Sequence, residues 1–128
     1  MSPEPDRDPD ASSPAYTVRV SSQYSLIGLV GLIKRAADEA GMSVGKMTML
    51  VTSAYEIGHQ AVIRAEGSQA TVSAVRRDGR LGVQVVLREP GEDVAEYLAG
   101  GPAERLVDHV DVQPTPGEGT AVVLTSWA

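Results

Sequence analysis

The sequence predicts an α+β fold: a two-layer sandwich in which helices cover one face of a sheet of about five strands. Three observations carry this. An alternating segment is followed by two long stretches of helical period; an Asp-Gly turn joins two alternating runs; and a second pair of such runs, joined by a turn-rich segment, closes the chain. Helices grouped ahead of hairpins point to an antiparallel or mixed sheet with the helices on one side. A chain of 128 residues, 42% of them apolar, can close one core and needs no second domain.

Residues Met1 to Pro14 hold four prolines and five charges with hardly any apolar side chain, so burial cannot offset the entropy of ordering them. They are expected to form a disordered tail before a domain spanning 15–128. Tyr16, Val18 and Val20 then alternate with polar residues as a half-buried strand does. Ser21 or Ser22 can cap the following helix, whose apolar stripe is Leu26, Leu29, Val30, Ile33, Ala37 and Ala40, and Gly41 ends it. A second helix is expected from Val44 to Ala65, with Met47, Val51, Ala54, Gly58, Ala61 and Ala65 on its buried face and Glu66-Gly67-Ser68 as its stop. Its opposite face bears Thr52, Glu56 and Gln60 with Met49 and Ile63 among them, a mixture suited to lining a pocket or meeting a partner.

Val72 and Ala74 lead into Asp78-Gly79, a two-residue hairpin signal, and Leu81, Val83, Val85 and Leu87 continue on the return strand. From Glu89 to Gly101 the pattern fails, leaving room for no more than a helical turn or two at Asp93 to Leu98. Ala103 to His109 reads as a short helix. Val110 and Val112, the turn residues Pro114 to Gly119 and the run Thr120 to Trp127 form the closing hairpin.

Composition narrows the function. With 17 acidic against 11 basic side chains, the net charge of −6 repels nucleic acid and anionic lipid and favours a basic protein partner. The absence of cysteine excludes disulfides and thiolate metal sites. An acidic, proline-rich start is unlike a signal peptide, and no stretch is long and apolar enough to span a bilayer, so a soluble cytoplasmic protein is expected.

The stretch Tyr55 to Ala65, YEIGHQAVIRA, resembles the N box of the anti-sigma and switch-protein serine kinases (RsbW and RsbT type) of the GHKL ATPase superfamily, roughly E-x-x-x-N-A-aliphatic-x-x-A. The preceding helix, the Asp-Gly hairpin and the closing Gly117-Glu118-Gly119-Thr120 before an apolar strand follow the family's order, so the resemblance covers nearly all of the chain after Ala15. It implies the histidine-kinase-like (Bergerat) sandwich. It also implies that Glu56 descends from the general base and that Gln60 stands where the family's asparagine helps to hold magnesium. A glutamine is one methylene too long for an ion that demands near-ideal octahedral geometry. Thr120 matches the family's threonine near the adenine.

Other parts of the motif set are missing. Where D-x-G-x-G should follow the hairpin, the chain reads Arg88-Glu89-Pro90-Gly91-Glu92, and the glycine-rich lid is reduced to Gly100-Gly101. Glu89, Glu92, Asp93 and Glu96 crowd the same segment and oppose a triphosphate. The resemblance therefore implies a regulatory protein-binding domain of a bacterial partner-switching pathway, contacting a sigma factor or a STAS-domain antagonist. ATP and magnesium bind weakly or not at all on this reading, and a homodimer is compatible with it. Met49, Thr52, Ile63, Glu92, Asp93 and Glu96 would form the partner surface. An active serine kinase, retaining Glu56 and Thr120, is the alternative; an unrelated α+β interaction domain is the third.

Taken singly, these residues have plainer explanations. A glutamate on a helix's polar side is ordinarily a solvated charge. His59 lacks companions at metal-ligand spacing, His109 reads as a helix-terminal cation, and Arg76, Arg77 and Arg80 as a solvated turn with docking as the alternative. Ser25, Ser43 and Ser53 have no evident base or orienting acid, which gives nucleophilic catalysis no support.

Overall fold

A computed structural model describes residues 15–64, 68–88, 103–115 and 119–128. The expected tail, the expected helix stop at 65–67, the segment 89–102 with Glu92, Asp93 and Glu96, and the expected turn at 116–118 lie outside the described residues, as do the side chains of Ala61, Ile63 and Arg64.

In chain order the elements are β1 (Tyr16–Val20), α1 (Gln23–Ala40), α2 (Val44–Arg64), β2 (Ser68–Arg77), β3 (Arg80–Arg88), α3 (Ala103–Leu106), β4 (His109–Thr115) and β5 (Gly119–Trp127). Ser22 is the cap of α1: its hydroxyl accepts from the Ser25 N–H at 3.3 Å, and the Ser25 hydroxyl accepts from the Ser22 N–H at 2.9 Å, a reciprocal box with serine in place of glutamate. Gly41 ends the helix at φ 71, and the Met42 N–H returns to the Ala37 carbonyl at 2.9 Å. Two residues later the Ser43 hydroxyl accepts from the Lys46 N–H at 3.3 Å and opens α2.

The sheet has the order β1-β2-β3-β5-β4, and every neighbouring pair is antiparallel, so the mixed arrangement does not occur. The reason lies in the helix pair. Two helices of similar length, joined by a tight turn, return the chain to the end of the sheet it left, so β2 starts with Ser68 beside Val20 and runs back along β1. Asp78 and Gly79 have φ of 53 and 76, the paired left-handed conformation of a two-residue hairpin closed by Arg77 and Arg80. The short helix stops at Leu106 rather than His109, because the Asp108 carboxylate accepts from the Trp127 N–H at 2.7 Å and His109 is already paired with Thr125.

One face of the sheet is covered. Leu26, Leu29 and Ile33 of α1 and Leu50, Ala54 and Ile57 of α2 are fully buried with Val20, Val72, Val85, Leu87 and Leu124 of the strands in one apolar core. The observed architecture is thus α+β, with two helices against one side of a five-stranded antiparallel sheet. At about 1.5–3 kcal/mol for each large apolar side chain, this contact holds the layers together. Val30, expected in the α1 stripe, is half-buried, and Leu50 and Ile57 replace it in importance from α2.

Candidate functional site

Helix α2 is the element that carries the expected site, and its orientation decides which side chains can meet a ligand. Lys46 near its start reaches Asp108 with Nζ to Oδ2 at 2.8 Å, beside the Trp127 end of β5. Gly58 in its second half sits against α1 and β1: a Cβ there would stand 2.7 Å from Leu26 Cδ2 and 3.7 Å from Val20 Cγ1. The helix therefore runs along the sheet from the Trp127 end toward the Val20 and Ser68 end. Gly58 also marks the side turned to α1.

At about 100° per residue, Met49, Ser53, Glu56 and Gln60 share the flank opposite Gly58. Along this flank burial varies. Met49 is 45% exposed, while Ser53 is completely buried. Glu56 and Gln60, one turn apart, are half-buried, and Glu56 is engaged by a neighbour. Thr52 is exposed and its hydroxyl donates to the Thr48 carbonyl at 2.8 Å, so it braces its own helix. Thr120 stands half-buried at the start of β5, one residue before Ala121, which pairs with Arg88 as Arg88 does with Gln69. Register thus brings Thr120 to the sheet end over which the second half of α2 ends. Glu56, Gln60 and Thr120 belong to that end, and Met49 to the other half of the helix.

His59 is half-buried and its ring stacks on Tyr55, with centroids 6.0 Å apart and planes 12° off parallel. Among the described residues no group of histidine and carboxylate side chains is arranged to hold a metal ion. No helix among them is long and apolar enough to cross a membrane.

Two features escaped the sequence reading. The Ser53 hydroxyl is fully buried and has no hydrogen-bond partner among the described residues, on the same flank as Glu56 and Gln60. The i, i+3, i+7 spacing to those residues was its only signal. Asp108 has a partner 62 positions away in Lys46, a relation no local pattern encodes. Burial alone would raise the Asp108 pKa, but the hydrogen bonds from the Lys46 ammonium and the Trp127 N–H, with the charges of Lys46 and His109, hold it below the ordinary 3.8. This carboxylate ties the start of α2 to the last residues of β5.

No protein-family model matches the chain, and comparison with curated proteins finds no relative.

Proposed function

We propose that this chain is a regulatory protein-binding domain of the histidine-kinase-like ATPase type, related to the anti-sigma serine kinases, in which the nucleotide site has eroded. The observation that supports this reading is that Glu56 and Gln60 lie one turn apart and half-buried in the half of α2 that runs toward the sheet end where Thr120, the second residue of β5, stands. The resemblance assigns the family's base and magnesium-holding residue to these two positions. The amide at the second position, the Arg88-Glu89-Pro90-Gly91-Glu92 sequence and the carboxylates Glu92, Asp93 and Glu96 all weigh against a bound triphosphate.

A protein partner then takes over the function of the site. Met49 and Thr52 offer exposed surface on α2, and the acidic residues of 92–96 favour a basic partner such as a sigma factor. Phosphoryl transfer, by a carboxylate at Glu56 taking the proton of an attacking serine hydroxyl, is the activity this erosion would have removed.

Calorimetric titration with ATP and magnesium tests the proposal. The expected Kd is in the high micromolar range or weaker, roughly −5 kcal/mol or less of binding free energy. Binding at low micromolar concentration, or transfer of the γ-phosphate to a serine of a STAS-domain protein, would overturn it. Gln60→Asn is expected to strengthen magnesium-dependent binding if the ancestral geometry persists.

A further inference from the structure

The face of the sheet turned away from the helices differs in charge from the rest of the molecule. Register places Arg19, Arg77, Arg80, Arg88 and His109 on it, and Asp111 is the sole carboxylate in any of the five strands. Four of the chain's 11 Lys and Arg side chains thus stand on this face against one strand carboxylate, with Asp78 in the turn between Arg77 and Arg80, in a chain whose net charge is −6.

The surface is also shaped. A groove of about 530 Å³ runs over Val123 and Thr125, bounded by Arg77 and Gln84 on one side and by His109, Asp111 and Gln113 on the other. Trp127 also lines it. Its ring packs against Gly82, where a Cβ would meet Trp127 Cε3 at 2.6 Å, and the Arg80 guanidinium stands over the ring, 5.1 Å from its centroid. The Val123 side chain suits an apolar side chain of an occupant, and the guanidinium groups suit carboxylates. Asp111 is restrained within the groove by the Gln113 amide, which donates to Oδ2 at 2.8 Å. The groove ends at β4, the edge strand of the sheet, where an extended chain can lie alongside.

We propose that this open face docks an acidic, extended segment of a partner protein, its carboxylates meeting Arg77, Arg80 and His109 and its apolar side chains resting on Val123 beside the buried Trp127. Charge complementarity identifies the occupant. Asp111 opposes any anion in the groove; a peptide of alternating acidic and apolar residues is favoured over a polyphosphate chain because it also places apolar side chains on Val123, which a polyphosphate cannot do. This inference stands on the open face alone and does not depend on the reading of α2.

Trp127 is the only tryptophan in the chain, so its fluorescence reports on the groove directly. The full chain is titrated with a synthetic alternating Glu-Val peptide, and in parallel with a Lys-Val peptide, an oligothymidylate and a peptide of residues 1–14. The expected result is a saturable change with the Glu-Val peptide alone, weakened several-fold by raising salt from about 0.05 to 0.3 M. Arg77→Glu should weaken it about tenfold or more with an unchanged melting temperature, and Asp111→Asn should tighten it. The second variant keeps the test decisive if the first fails to fold. A flat titration, an equal response to the Lys-Val peptide, or no tightening in Asp111→Asn would overturn the proposal. Preferred binding of the oligothymidylate would assign the face to nucleic acid. Preferred binding of the 1–14 peptide would make the chain's own acidic segment the occupant, and a dimer dissolved by Arg77→Glu would make it a second copy; each of these also overturns it.

Discussion

Alternate residues of the same strands build two unlike surfaces. On the helix side, Val72, Val83, Val85, Leu87, Val122 and Leu124 are completely buried. On the other side Thr71, Gln84, Val86, Arg88 and Val123 are half-buried or exposed, while Ser73, Val75, Ala121, Thr125 and Trp127 between them are buried. The first set holds the layers together by removing apolar surface from water, and almost any close-packed aliphatic set would serve. The half-buried and exposed members of the second set carry arginines and glutamines, which a close-packed layer would not accept without partners, so they stand under a different constraint. The contrast teaches where binding chemistry can be placed without loss of stability.

The sharpest test substitutes neighbours on opposite sides. Leu124→Ala removes a fully buried side chain and is expected to cost about 2–5 kcal/mol, whereas Val123→Ala is expected to cost less than about 1 kcal/mol. Urea denaturation of both variants measures the difference. Equal losses would mean that the open face is a second core and that the comparison fails.

Two glycines sharpen it further. At Gly82 a Cβ would stand 2.5 Å from the Ser126 carbonyl oxygen and 2.6 Å from the Trp127 ring, and backbone cannot retreat. Gly82→Ala should therefore cost about 1–3 kcal/mol and shift the Trp127 emission. Gly58→Ala meets Leu26 Cδ2 at 2.7 Å, the far end of a flexible side chain, and gains up to about 1 kcal/mol of helix propensity, so a loss below about 1 kcal/mol is expected from thermal or urea unfolding. A larger loss at Gly58 than at Gly82 would show that the helix–helix contact, and not the Trp127 lid on the open face, is the tighter fit.

The link between the two layers is the Lys46–Asp108–Trp127 connection. Its carboxylate has a lowered pKa in the folded protein, so its stabilisation is present above the unfolded value near 3.8 and is lost as the pH falls through the lower folded value. Asp108→Asn should be destabilising by about 1 kcal/mol at neutral pH, since the ion pair is partly exposed and screened. Against wild type, the gap should close below pH 3.8. A gap that persists in acid would show that Asp108 acts through shape and not through charge.

What the sequence revealed follows the same division. The stripe Leu26, Leu29, Ile33, Ala37 and Ala40 of α1 and the Asp78-Gly79 turn were legible, because periodicity and left-handed turn chemistry are local. In α2 the phase was harder to fix: Met47, Met49, Leu50, Val51, Ala54 and Ile57 put apolar residues on nearly every side, and Leu50 and Ile57 were not picked out as core. The half-buried flank of Glu56 and Gln60 could be seen from their spacing, but buried Ser53 beside them could not. Strand order, the Lys46–Asp108 pair and the seating of Trp127 on Gly82 join residues far apart in the chain, and no local signal specifies them. Arg77 and Arg80 read as a solvated turn because their face depends on the register of the sheet.

The smallest structural effect concerns the partner surface on α2. Met49 is 45% exposed and Leu50, the next residue, is fully buried, so the same substitution at the two positions separates recognition from folding. Met49→Asp should change stability by no more than about 0.5 kcal/mol, as surface substitutions do, while Leu50→Asp should unfold the domain by burying an unpaired charge. If α2 presents a partner surface, Met49→Asp also loses the protein captured by wild type from a lysate, because an exposed apolar side chain between polar ones is the kind of anchor whose removal costs most of an interface's affinity. Circular dichroism establishes the fold of each variant before capture is compared. A folded Met49→Asp that retains the same partner at the same salt dependence would move the interface off α2. With Arg77→Glu as the second arm of that comparison, loss of capture in one variant and not the other assigns the partner to one layer of the molecule.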